Sequence, residues 1–148
     1  MIISSVIFDD YLKNHNIDKQ KDNWLFKHLK NLSSSMEVFL APPYSPQDIK
    51  SMKKIAFEIR KEIKDFIPNN LDLWNLLFPD WENTISHVTV HLLVGLPKGF
   101  DALALQDLNG CPIVVYDIGN WLAYKNLSIA NVANNLLTHE LAHVCIDK

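Results

Sequence analysis

The stretch that decides the fold class runs from Pro112 to Val144, PIVVYDIGNWLAYKNLSIANVANNLLTHELAHV. Its first part, Pro112 to Ile118 with Ile113, Val114, Val115 and Tyr116, is a short apolar run and reads as a strand. Gly119-Asn120 breaks the run. Ser128 then stands as the N-cap of a helix expected to continue to the end of the chain, with Ile129, Val132, Ala133, Leu136 and Leu137 as its apolar lead-in. That helix carries His139-Glu140-Leu141-Ala142-His143, two histidines four apart with a glutamate directly after the first.

The spacing suits a metal ion. Residues four apart on an α-helix share a face and lie about 6 Å apart along the axis. Two imidazoles so placed can meet one zinc ion at about 2.0–2.1 Å each. A glutamate beside the pair can take a proton from water without being a ligand, and zinc brings the pKa of a bound water to about 7. His139 and His143 are therefore the expected metal ligands, Glu140 the expected catalytic base and Zn2+ the expected cofactor. The flanks Thr138, Leu141, Ala142, Val144, Cys145 and Ile146 are uncharged, which predicts a buried helix. Burying a charge without a partner is costly, and a metal would offset that cost. The competing reading makes His139 and His143 hydrogen-bonded core histidines and Glu140 a surface carboxylate.

Upstream, residues 20–33 have Trp24, Leu25, His28, Leu29 and Leu32 at helical spacing, and residues 36–41 are a short apolar stretch read as a strand. Ser45, Pro46 and Asp48 open a helix expected to reach Phe66, its stripe formed by Ile49, Met52, Ile55, Ala56, Ile59, Ile63 and Phe66. Pro68-Asn69-Asn70 is expected to close it, and Leu71 to Phe78 to form a separate short helix. Residues 85–95 read as a strand, 101–107 as a weaker one, and Asn109-Gly110 as a turn. The order is helices, then a small sheet, then the motif helix, an α+β arrangement. One domain is expected over 1–148, helical to about residue 80, with sheet and motif helix from about 85.

Composition narrows the function. The chain has 148 residues, 48% hydrophobic and 21% charged, as in ordinary globular proteins. Residues 1–64 hold 11 basic and 8 acidic side chains, whereas residues 65–148 hold 3 basic and 9 acidic. The acidic half carries the motif, which favours a cation and argues against nucleic acid as partner. No apolar run reaches about 18 residues, so no membrane span is expected. The start MIISSVIFDD lacks a basic region and does not read as a signal peptide. Two cysteines, Cys111 and Cys145, are too few for a disulfide framework, and a cytoplasmic location is the expectation.

The HELAH motif and the preceding strand order resemble the catalytic core of the zincin metallopeptidases, most closely the gluzincin branch. The segment VANNLLTHELAHV also looks like predicted bacterial zinc-dependent proteases. The resemblance covers about residues 85–148 and implies a mixed sheet against the motif helix, zinc held by His139 and His143, Glu140 as general base, and a peptide or protein substrate. It also implies a substrate-binding edge strand about 25 residues upstream, for which the Ile113–Ile118 segment is the candidate. Gluzincins take a third ligand, a glutamate, from a later helix, and no such helix follows here. The expectation is then an N-terminal piece of a longer peptidase. Asp147 shares the histidine face but stands two turns from His139. Cys111 is a weaker candidate ligand, on a resemblance to peptide deformylases. His87 and His91 share a strand face but stand too far apart to chelate together; either is a candidate third ligand or oxyanion stabiliser, against the reading of a half-exposed sheet histidine. The rival reading is a non-enzymatic binding or regulatory domain that keeps the zincin scaffold with an incomplete metal site.

Overall fold

Four strands form one mixed sheet, and their order differs from their order along the chain. The computed structural model describes residues 1–32 and 42–146. The strands are β1 (Ile2–Ser4), β2 (Thr89–Leu93), β3 (Ala102–Gln106) and β4 (Pro112–Asp117), arranged β1-β2-β4-β3. β1, β2 and β4 run parallel, with Val90 opposite both Ile3 and Val114. β3 is antiparallel to β4, with Ala104 opposite Val114. The helices are α1 (Val6–Asn14), α2 (Trp24–Leu32), α3 (Pro46–Leu77), α4 (Trp81–Ile85) and α5 (Ile129–Ile146). The α+β class expected from the element order holds.

Strand alternation divides the core into two layers. Val90, Leu92, Val114 and Tyr116 point to the side covered by Met52, Ile59, Phe66 and Trp74 of α3 and by Leu137 and Leu141 of α5. Leu93, Ile113 and Val115 point to the other side, beneath Leu25, Phe26 and Leu29 of α2. β4 is thus buried on both faces, which accounts for its uninterrupted apolar sequence. On β3 the residues facing α5 are Ala102 and Ala104, small enough to let the helix lie close, while Leu103 and Leu105 face α2.

Several expectations are corrected. The helix starting at Pro46 does not stop at Phe66. It runs through Pro68 to Leu77 as a single element. Ser45 and Asp48 form a capping box, as their spacing implies. Pro68 cannot donate a backbone N–H, a defect of about 3 kcal/mol in a helix interior. The apolar stripe nevertheless continues past it: Phe66 meets Trp74 with ring centroids 6.1 Å apart, and Trp74 meets Phe78 at 5.2 Å. Burial of Trp74, 2% exposed, contributes enough to carry the helix across the break. The strand expected over 85–95 is shorter, because Trp81–Ile85 is helical and pairing begins at Thr89. The helix expected from residue 20 begins at Trp24, after a 3-10 turn at Ile17–Gln20. β1 and α1 were not expected. The proposed strand at 36–41 lies outside the described residues.

Candidate metal centre

α5 holds the motif in place through its buried side. Thr138 donates its hydroxyl to the Asn134 carbonyl at 2.8 Å, one turn back. Leu137 and Leu141, both essentially buried, anchor the helix on the sheet layer. His139 and His143 lie on the exposed side of the same turns, whereas Glu140, 8% exposed, lies on the buried side. The sequence argument that all three would be buried is therefore corrected for the histidines. At 18 residues and with an apolar majority, α5 still has a solvent-facing stripe, and both imidazoles lie on it.

The two imidazoles face each other. Their Nε2 atoms are 3.2 Å apart, with ring centroids at 4.7 Å and planes at 78°. Tetrahedral ligands each about 2.05 Å from zinc stand about 3.3 Å from one another. The observed separation is close to that value, and it is also the length of a hydrogen bond between the two rings, one nitrogen donating and the other accepting. His143 also borders a hollow of about 150 Å³ formed with Ala104, Leu105, Gln106, Pro112 and Val144. His143 therefore lies beside one end of β3.

β3, not β4, is the outer strand on this side. The Ile113–Ile118 segment was the expected substrate-binding edge, but β4 is flanked by β2 and β3. Its backbone groups are already engaged in ladders on both sides. Among the described residues, β3 leaves one edge unpaired.

No third ligand joins the pair: among the described residues no group of three His, Cys, Asp or Glu side chains could hold a metal. His91 points to the opposite face of the sheet, where it meets Trp24 edge-on at 5.7 Å. Burial lowers its pKa, and Asp107 opposes that shift. His87 is exposed and precedes β2. Cys111 sits in the tight turn before β4, its backbone N–H donating to the Asp107 carboxylate at 2.9 Å. Asp147 lies outside the described residues.

Three of the nine acidic residues of the second half are engaged in loops and turns. Asp101 accepts the Tyr124 hydroxyl, and Asp107 closes the turn to Cys111. Asp117 is 1% exposed and accepts backbone N–H bonds from Gly95 and Leu96 at 2.7 and 2.6 Å and from Asn120 at 2.9 Å. Burial raises its pKa to about 6 despite those donors. For these three, the negative charge serves local backbone and turn geometry.

One polar group near the motif has no counterpart in the sequence reading. Tyr116 on β4 faces the α5 layer, is fully buried, and its hydroxyl has no hydrogen-bond partner. Burial raises its pKa well above the usual tyrosine value, and the negative charge of Glu140 adds to the shift. The residue read as part of an apolar strand, and the only sequence signal was a phenol within it.

No family model matches this chain, and neither a curated protein nor a solved structure matches it. No described helix is long and apolar enough to cross a membrane.

Proposed function

We propose that this chain is a zinc-dependent hydrolase of the zincin type, acting on peptide bonds in a peptide or protein substrate. The observation that carries the reading is the 3.2 Å separation of the His139 and His143 Nε2 atoms on one helix face. His139 and His143 would hold the metal. Bound there, zinc would supply Lewis acidity toward the scissile carbonyl and acidify water. Glu140, the next residue after His139, would take the proton from the attacking water and return it to the leaving amine. The unpaired edge of β3 would align an extended peptide by main-chain hydrogen bonds, with the hollow beside His143 receiving a side chain.

The test is metal content by elemental analysis together with peptide hydrolysis. About one zinc per wild-type chain and none in His143→Ala supports the ligand assignment. Glu140→Gln should keep zinc and lose hydrolysis. Retained hydrolysis in that variant would refute the base assignment.

A second reading has its own observation. Glu140 is nearly buried, and among the described residues no third ligand joins the histidines. Both features suit a binding or regulatory domain on a zincin-like scaffold. That reading predicts no hydrolysis of any peptide with zinc present at saturation.

A further inference from the structure

We propose that the hollow between the first half of α3 and the start of α5 binds a small phosphate monoester, held by Lys50, Lys54 and Lys125. The site is separate from the histidine motif and does not depend on the hydrolase reading.

The hollow measures about 540 Å³, which is within the range of small-ligand sites. One wall is the face of α3 that carries Lys50, Ser51, Lys54 and Glu58 at helical spacing. The other is the loop 125–128 with Ile129 and Ala130, the first residues of α5. Ile55, almost fully buried, lines it from the core side.

Three lysines line this one hollow, and among the described residues none of them forms an ion pair. Elsewhere lysines are neutralised by an acid three residues before them, Lys13 by Asp10 and Lys21 by Asp18. The residues three before Lys50 and Lys54 are Gln47 and Ser51, which carry no charge. Two carboxylates are near. Bonds from the Ser45 hydroxyl and N–H hold the Asp48 carboxyl below its usual range, and the charge of Lys125 adds to them. Glu58 lines the hollow one turn beyond Lys54 without pairing to it. The local balance stays positive, in contrast to the acidic second half of the chain.

The start of α5 adds donors. The Ile129 and Ala130 N–H groups have no acceptor among the described residues, and Ser128 Oγ reaches the Asn131 N–H only at 3.4 Å. The first turn of this 18-residue helix also presents the positive end of its dipole. A phosphate monoester matches this set, with close to two negative charges and three strong acceptor oxygens. A carboxylate brings one charge and two oxygens and would leave donors unused. A nucleic-acid strand needs an extended basic track, whereas these lysines converge on one concavity. Glu58, at the far end of the α3 face, suits a hydroxyl on the carbon body of the ester.

The experiment is a titration of the full, metal-free chain with glycerol phosphate, followed by amide NMR and calorimetry. The largest shifts should fall at the Ile129 and Ala130 amides. Lys50→Gln, Lys54→Gln and Lys125→Gln combined should weaken binding about tenfold. Lys53→Gln with Lys61→Gln removes two charges from the same helix outside the hollow and should keep the affinity. Equal losses in both proteins would mean general charge attraction and overturn the site. Shifts centred elsewhere, or no binding by the wild type, would do the same. Should the triple variant fail to fold, Ser51→Asp places a carboxylate in the hollow and should abolish the shifts; retained shifts refute the site. Vesicles containing phosphatidic acid present the same group on a lipid. Co-sedimentation with them and no response to glycerol phosphate would overturn the small-molecule assignment.

Discussion

Asp117 provides a test of which force wins when a carboxylate is both buried and well bonded. Its backbone donors Gly95, Leu96 and Asn120 favour the charged form. Its near-complete burial disfavours it, and Tyr11 and Tyr44 stand nearby. Burial prevails and raises the pKa to about 6, above the ordinary carboxylate range. The difference of about 2 pH units corresponds to about 3 kcal/mol between the two protonation states. The folded-state pKa is raised, so the contribution to stability is fully present below the unfolded value and is lost as pH rises through about 6. Wild type and Asp117→Asn should therefore be unfolded in urea at steps from pH 4 to pH 8. The variant loses acceptor capacity at the loop N–H groups, so its absolute stability is not the quantity of interest. The informative quantity is the difference between the two proteins, in which other titrating groups cancel. The wild type should lose about 2–2.5 kcal/mol relative to the variant across this range, most of it between pH 4 and 6. A flat difference would mean that burial and hydrogen bonding cancel. A difference in favour of the wild type that grows with pH would mean that the N–H donors prevail and that the reasoning is wrong.

Other expected outcomes follow from single contacts. Pro68→Ala restores a helical N–H in the interior of α3 and should stabilise the chain by about 1–3 kcal/mol in urea unfolding. Ser45→Ala removes the capping box of the same helix and should cost about 1 kcal/mol by the same measurement. Trp74→Ala leaves a cavity between Phe66 and Phe78 and should cost about 3–5 kcal/mol. At Gly119 an added Cβ would collide with the Tyr44 hydroxyl, so Gly119→Ala should lower the melting temperature and change the near-ultraviolet circular dichroism of the tyrosines.

The parts of the fold that were legible in the sequence are those whose signal is local. α5 and β4 follow from helical spacing and a β-branched run, and the Ser45–Asp48 box marks the start of α3. Pro68 misled because a helix break is a local rule, whereas the burial of Trp74 that overrides it is a tertiary one. β1 was missed because three residues carry no period, and their pairing with Thr89 to His91 spans most of the chain. The edge strand was misassigned although its signal was present. Ile113 and Val115 face one layer while Val114 and Tyr116 face the other, and a run apolar on both faces marks an internal strand. The His139–His143 pair was legible because helix geometry alone sets its spacing. The buried, unbonded hydroxyl of Tyr116 was not, because its burial depends on which layer β4 turns toward α5.

The placement of α5 changes what favours a metal at the motif. From sequence a metal had two supports, the i,i+4 spacing and the cost of burying three polar side chains. The second fails for His139 and His143, which lie in contact with water and bear little desolvation cost. It transfers to Glu140, the member of the motif that α5 turns inward. A surface glutamate at that position would cost nothing, and helix geometry would permit one, since a small rotation of α5 would expose it. Such a rotation would also carry Leu137 and Leu141 out of the core, which fixes the helix in its present setting. Glu140 is therefore held inward by the packing of its neighbours.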